Sequence, residues 1–494
     1  MKFIGTIKTF FSEAGGWLLG APSEKPRRLY HGAWLAGVYL LGLLLWGQFL
    51  NWGRIPFDFH DWAEISAPRL AFIQDAVRSG QLPLHMPDGS ALRNVTDRFM
   101  SIPDVILSPQ VLLLAFMDVG VFVLANTWLL YSLGFLSLLW YQRKYELSPL
   151  VFAALSLLFN FNGSILAHFS VGHVNYTGYL LFPALIALLI QMFEGERGWR
   201  WVARYAMLMF FILLQGSFHQ FIWGLMLTGL VGLFQWKYFL QVLKALVSAC
   251  LLSMVRLLPP ALLLGVFDDE FLSGYPTLLD VFTGLVVPRG PQDAFLHKSI
   301  LTSLGWWEFD IYVGVIGAAL ILVFGLVFWL RNFARGQQYQ DLFLPTMVLF
   351  VLSIGRLYRA VTLLPVPLLN GERVSARFLS LVFVVLVLIA AINLNRWLKA
   401  KKENAWLGWA AVGLLLVMAS DLWQHLKLWR VNVAYEWFPK TPVDLTIKVV
   451  SNHGDPQYIA FIAAGLTVSL LTFGILLLLP GLKRYNKKRQ RPQS

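Results

Sequence analysis

The stretch RFLSLVFVVLVLIAAINLN, residues 377–395, carries no charged side chain after Arg377, and the next is Arg396. A helix crosses the hydrocarbon of a bilayer with roughly 20 apolar residues, so this run reads as a spanning helix. Backbone groups in hydrocarbon must be paired within their own segment, which selects helices over open sheets. Working outward, similar runs lie at 33–50, 119–141, 149–168, 174–193, 201–216, 219–236, 239–264, 310–330, 342–355, 405–422 and 457–480. The expected fold is therefore all-α, a polytopic membrane protein with about twelve transmembrane helices.

Composition agrees. The chain has 494 residues, is 57% hydrophobic and 14% charged, and has a mean hydropathy of +0.62, beyond what a water-soluble core of this length requires. The formal charge of +13 is spread between the apolar runs and at the ends. It forms no basic stripe with interleaved aromatic residues, so it reads as a topology signal and not as a nucleic-acid surface. Cys250 is the only cysteine, which excludes an intrachain disulfide and a thiolate metal site. Residues 1–28 are mixed in character and do not read as a cleavable signal peptide; the run that begins near Ala33 is expected to serve as a signal anchor.

Twelve crossings would put both termini on one side. Basic residues mark that side: Lys25, Arg27, Arg28, Arg143, Lys144, Arg197, Arg200, Arg204, Arg331, Arg335, the 396–402 stretch and the 483–491 tail. By the positive-inside rule these are cytoplasmic. The organisation expected is a cytoplasmic segment 1–32, one membrane domain 33–480 and a basic cytoplasmic tail 481–494. Long external loops at 51–118, 265–310, 355–377 and 424–456 carry most of the material that could form a site. In the first of them Leu70, Ile73 and Val77 recur at helical spacing beside Arg69, Gln74 and Arg78, with Gly80 as a stop, the pattern of a helix lying at the membrane interface. The apolar piece 105–117 is too short to cross and is expected to return to the surface or dip part-way.

Candidate chemistry begins with Asp61 and Glu64 in His60-Asp61-Trp62-Ala63-Glu64. One carboxylate can act as general base while the other binds a divalent cation or orients an acceptor; the alternative is a helix cap at Asp61, with Glu64 completing a capping box. Arg356, Arg359, Arg373 and Arg377 crowd one external loop, against the bias that holds elsewhere. If the tenth span starts there, Arg373 and Arg377 share a helical face and converge on one phosphate; the alternative is that they snorkel to the interface. Arg256, ahead of Pro259 and Pro260, either joins them or stabilises the bundle. His168, His173 and His219 lie at external turns with no zinc spacing, as substrate hydrogen-bonding groups or as turn stabilisers. Glu308 and Tyr312 sit in Trp306-Trp307-Glu308-Phe309-Asp310-Ile311-Tyr312, an interface belt or a sugar-stacking platform, and Asp97 and Asp104 read as solvated acids. Neither a Walker-type loop nor a Rossmann fingerprint is present. The spans hold almost no ionisable residue at their centres, which tells against a coupled pump.

In this arrangement the chain resembles the GT-C class of membrane glycosyltransferases, most closely the bacterial YfhO-type branch. The resemblance runs from about Asp61 to Phe378. It rests on the order of Asp61-Trp62-Ala63-Glu64, Ser79-Gly80-Gln81-Leu82-Pro83-Leu84, Asn162-Gly163-Ser164 with His168 and His173, the Gly216 to Gln220 turn, Arg256-Leu257-Leu258-Pro259, Glu308 with Tyr312-Val313-Gly314, and Arg373-Val374-Ser375-Ala376-Arg377-Phe378. It implies a GT-C-like architecture and transfer of a sugar, with inversion, from a polyprenyl-phosphate donor to a glycan, lipid or protein acceptor on the extracytoplasmic face of the cell membrane. It places the catalytic carboxylate at Asp61. The chain lacks the Asp-x-Asp pair of metal-using relatives, which leaves a divalent ion such as magnesium or manganese an open expectation. Two other activities fit the same residue types: a flippase for lipid-linked oligosaccharides, and an O-antigen ligase or polymerase that takes a pyrophosphate-linked glycan.

Overall fold

The structure is a computed structural model that describes residues 13–19, 28–87, 89–92, 95–263, 271–294, 304–335, 339–364, 369, 372–400, 405–441 and 453–489. Parts of the expected cytoplasmic segment, of the loops 265–310, 355–377 and 424–456 and of the tail lie outside the described residues. Helix is the only extended regular structure among the described residues; β-pairing is limited to isolated bridges such as Phe59 with Pro439 and His85 with Arg98.

Among the described residues, eight helices are long and apolar enough to cross a membrane. They are Tyr30–Phe49, Val119–Tyr145, Pro149–Ser170, Val174–Phe193, Gly314–Ala334, Ser375–Lys399, Trp406–Leu428 and Pro456–Leu479. A ninth would be Phe218–Phe234 with Trp236–Leu252, if this pair, bent by 115°, is one span. The remaining apolar runs of the sequence fold into the shorter helices Trp199–Leu214, Met254–Leu263 and Gln340–Leu352. The chain is thus an all-helical membrane protein. Its outer helices carry the surface such a protein needs: Leu414, Leu416, Leu470, Leu471, Leu477 and Leu478 are all exposed, a surface that water tolerates poorly and hydrocarbon accepts.

Burial separates centre from rim. The stretch read first, now Ser375–Lys399, and the helix Pro149–Ser170 are almost wholly buried, whereas Trp406–Leu428 and Pro456–Leu479 are mostly exposed. The two central helices pack on each other and bring their polar ends together. Pro149–Ser170 is broken on the way. Ser148 caps its first half by accepting from Val151 N–H, with Pro149 at the first helical position. Asn162 then leaves the helix and caps the second half, Gly163–Ser170, by accepting from Ile165 N–H while its amide donates to Phe159 and Leu158 carbonyls. That break aims His168 at the polar end.

Charges fall into two sets. Lys144 pairs with Glu194, Arg204 with Glu196, Lys237 with Asp341 and Lys399 with Glu146, all at the connections rich in basic residues. The other set, built on Asp61, Arg256, Glu308 and Arg377, surrounds a cavity.

Candidate functional site

The cavity has a volume of about 970 Å³, within the upper range of ligand pockets. Asp61, His173, His219, Arg256, Glu308, Arg373 and Arg377 all line it, so an acid near residue 60 and guanidinium groups more than three hundred residues later share one compartment.

Asp61 arrives through a tight backbone path. After Tyr30–Phe49 the chain passes left-handed conformations at Asn51, Trp52 and His60, each strained for a residue with a side chain. It then enters the π-helical turn Trp62–Ser66 and the α-helix Ala67–Ser79. Two bonds pin this entry to the turn that carries His173: Trp62 Nε1 donates to Ser170 O at 3.0 Å, and Ser66 Oγ donates to Gly172 O at 2.6 Å. Gly172 has φ +99, and a Cβ there would lie 2.4 Å from Trp62 N. Only glycine permits so close an approach.

The Asp61 side chain caps no helix. Its Oδ2 accepts from His173 Nε2 at 2.8 Å, and His60 Nδ1 lies 3.4 Å from Oδ1. Burial alone would raise its pKa; the N–H groups of His173 and His60 outweigh burial and hold the carboxyl well below the usual range. Behind it runs a relay. His173 Nδ1 is 2.7 Å from His168 Nδ1, and His168 Nε2 is 3.8 Å from Glu308 Oε2. Arg377 donates through Nε and Nη2 to both Glu308 oxygens, at 2.7 and 2.6 Å, the bidentate geometry of a strong ion pair. Burial raises Glu308, but the adjacent Arg377 charge and its hydrogen bonds, with His168 and His173, bring the pKa down to about 2.

His173 Nε2 donates to Asp61, and one of the two imidazoles donates to the other at the Nδ1–Nδ1 contact, so the two rings and the carboxylate form one hydrogen-bonded row.

Other expected residues have different places. Glu64 does not line the cavity; it points outward, its side chain 55% exposed, and pairs with Lys440 at 2.7 Å. Tyr312 is also outside: it stacks on His425 at 4.6 Å, and Asp310 binds both its backbone N–H and His425. His168 is fully buried behind His173, with Tyr176 stacked on it at 3.8 Å. Arg373 and Arg377 share no helical face, because the α-helix begins only at Phe378 and Ser375–Arg377 is a 3-10 turn. They meet at the cavity wall all the same. Arg256 donates to Met100 O and Ile102 O, at 3.1 and 2.6 Å, which makes it a clasp on the first loop as well as a wall of the cavity.

Two groups at or behind the cavity wall, Asp104 and Glu372, carry no local sequence signal. Asp104, expected to be solvated, is buried 3.7 Å from Arg256, and burial raises its pKa more than Arg256 lowers it. Arg69 donates to the Ala91 and Pro103 carbonyls. Glu372, buried behind the wall, accepts from His219 Nδ1 at 3.0 Å and Trp223 Nε1 at 2.7 Å. Burial works to raise its pKa, but His219, Arg377 and Trp223 keep it below the usual range. Arg356 and Arg359 also line the cavity, and both are exposed.

His168, His173 and Glu308 place three ligand atoms within 4.8 Å of one another. Two imidazoles and one carboxylate do not suit an oxygen-seeking ion such as magnesium, one of the two ions the sequence left open, and the two imidazoles here already lie at hydrogen-bond distance from each other. Compared with protein-family models, curated proteins and solved structures, the chain gives no significant match.

Proposed function

We propose that the chain is an integral membrane glycosyltransferase of GT-C type, moving a sugar with inversion from a polyprenyl-phosphate donor to an acceptor at the extracytoplasmic face of the cell membrane. The observation that carries this reading is the single cavity onto which Asp61 and the arginines Arg356, Arg359 and Arg373 all open.

In this scheme the acceptor hydroxyl oxygen attacks the anomeric carbon, the bond from that carbon to the phosphate oxygen breaks, and its electron pair leaves on the phosphate. A lipid phosphate needs cations more than a proton to leave. Arg356, Arg359 and Arg373 supply them; Arg377, already forked onto Glu308, positions the relay. The acceptor proton goes to Asp61. A carboxylate held at low pKa is a weak base at rest, so the proton moves late, as the new bond acidifies the hydroxyl. Asp104, with its raised pKa, is a further carboxyl lining the cavity.

Asp61→Asn should keep donor binding and lower transfer by about 10²–10⁴-fold, the usual worth of a general base. Arg373→Ala should weaken binding of the lipid-phosphate donor instead. Transfer at wild-type rate in Asp61→Asn, measured in detergent with a polyprenyl-phosphate sugar, would remove Asp61 from the reaction. Detergent has no second compartment, so donor consumption there also separates a transferase from a flippase; preference for a pyrophosphate-linked glycan would point to a ligase or polymerase.

A further inference from the structure

Away from the cavity, the first loop and the last spanning helix are fastened by a group of side chains that the proposed reaction does not use. His85, His453 and Asp455 bring three ligand atoms within 4.8 Å of one another. His85 is buried, and His453 and Asp455 lie just ahead of Pro456–Leu479.

His85 Nε2 and Asp455 Oδ2 are 3.5 Å apart. That distance is close to the ~3.4 Å between two ligands of a tetrahedral ion with bonds of ~2.1 Å. The imidazoles of His85 and His453 lie against each other, with ring centroids 3.9 Å apart and an interplanar angle of 35°.

The surroundings supply the outer contacts that metal ligands need. Arg98 donates to both Asp455 oxygens, at 2.7 and 3.1 Å, which fixes the carboxylate. Asp97 Oδ2 lies 3.4 Å from His453 Nε2, a carboxylate placed to orient an imidazole. An isolated bridge between His85 and Arg98 holds the two sides of this loop in register.

We propose that His85, His453 and Asp455 bind one divalent transition-metal ion of the zinc class, whose role is to lock the first loop onto the start of the last spanning helix. Two imidazoles and a carboxylate select such an ion over magnesium or calcium. The clasp connects to the cavity through backbone contacts. Tyr458, three residues after Asp455, accepts from Met100 N–H at 2.7 Å and donates to Leu84 O, while Met100 O accepts from Arg256. This site is separate from the proposed transferase chemistry and stands or falls without it.

The test uses the full chain in detergent, stripped with chelator and titrated with Co²⁺, whose visible absorption reports tetrahedral nitrogen and oxygen ligands, and with Zn²⁺ followed by elemental analysis. Wild type should take up about one ion per chain and gain thermal stability on binding. His453→Gln, at a side chain 58% exposed, should fold normally, bind at least tenfold more weakly and lose the stability gain; Asp455→Asn should do the same. His168→Gln should still bind. No uptake by wild type, equal uptake by His453→Gln, or loss in His168→Gln alone would each overturn the proposal, the last by assigning the ion to the cavity cluster.

Discussion

Glu308 shows what one buried carboxylate holds in place. Its side chain is 4% exposed and its partner Arg377 is 14% exposed, so Glu308→Gln leaves a guanidinium facing an amide that cannot neutralise it. Breaking a buried pair from one side costs about 3–5 kcal/mol, and a lower thermal midpoint in detergent should report it. The pH dependence has a definite sign. Folding lowers the pKa of Glu308 from 4.5 to about 2, so its contribution is complete above pH 4.5 and is lost as pH falls toward 2. Wild type should lose stability through that window more steeply than Glu308→Gln; parallel curves would mean that Arg377 does not hold Glu308 ionised. At this scale the sequence was partly legible. Arginines on a loop that should carry few, and an acid just after a span, are anomalies visible in one dimension. Glu372 and Asp104 are not anomalies in one dimension: Glu372 becomes distinctive only because His219, 153 positions away, reaches it.

Among the elements, the decisive contact is between the turn at Gly172 and the helix entry at Asp61 and Trp62. Gly172→Ala would place a methyl 2.4 Å from Trp62 N at a φ of +99, and backbone strain of this kind costs about 1–3 kcal/mol. The expected result is a folded but less stable protein; under the proposed function its transfer activity falls more than its donor binding, since the shift separates Asp61 from His173 and leaves the arginines alone. Equal loss of both would place the effect on the whole fold. Helices themselves were legible because apolar runs and stop signals are local: the helix expected around Leu70 to Val77 is Ala67–Ser79, ended by Gly80 in the left-handed region. Its partner was not. The short 105–117 piece forms the 3-10 segment Pro109–Ala115 and packs against that helix, where Gln74 donates to Met117 O at 2.6 Å. Glu64 beside Asp61 looked like a second acid because spacing does not reveal which side of a π-helical turn faces the cavity.

The whole molecule turns on parity. Eight crossings return the chain to its starting side, and nine do not; the sequence expectation of twelve also returns it. Two exposed carboxylates, Glu64 paired with Lys440 and Glu196 paired with Arg204, give positions at which sidedness can be read. In a Cys250→Ser background, which removes the only cysteine, Glu64→Cys should react with an impermeant maleimide on intact cells, and Glu196→Cys only after permeabilisation. Both side chains are more than half exposed, 55% and 56%, so reactivity reports the side of the membrane and not burial. Labelling of both from outside would overturn the proposed orientation.

The size of the central chamber has a consequence for selectivity. At roughly 30 Å³ per molecule of liquid, about 970 Å³ accommodates tens of solvent molecules beside Asp61, and each is a rival nucleophile for an activated sugar. Productive turnover under the proposed chemistry therefore depends on the acceptor drying the chamber as it enters, so that fidelity against hydrolysis resides in how well the incoming molecule fills the space.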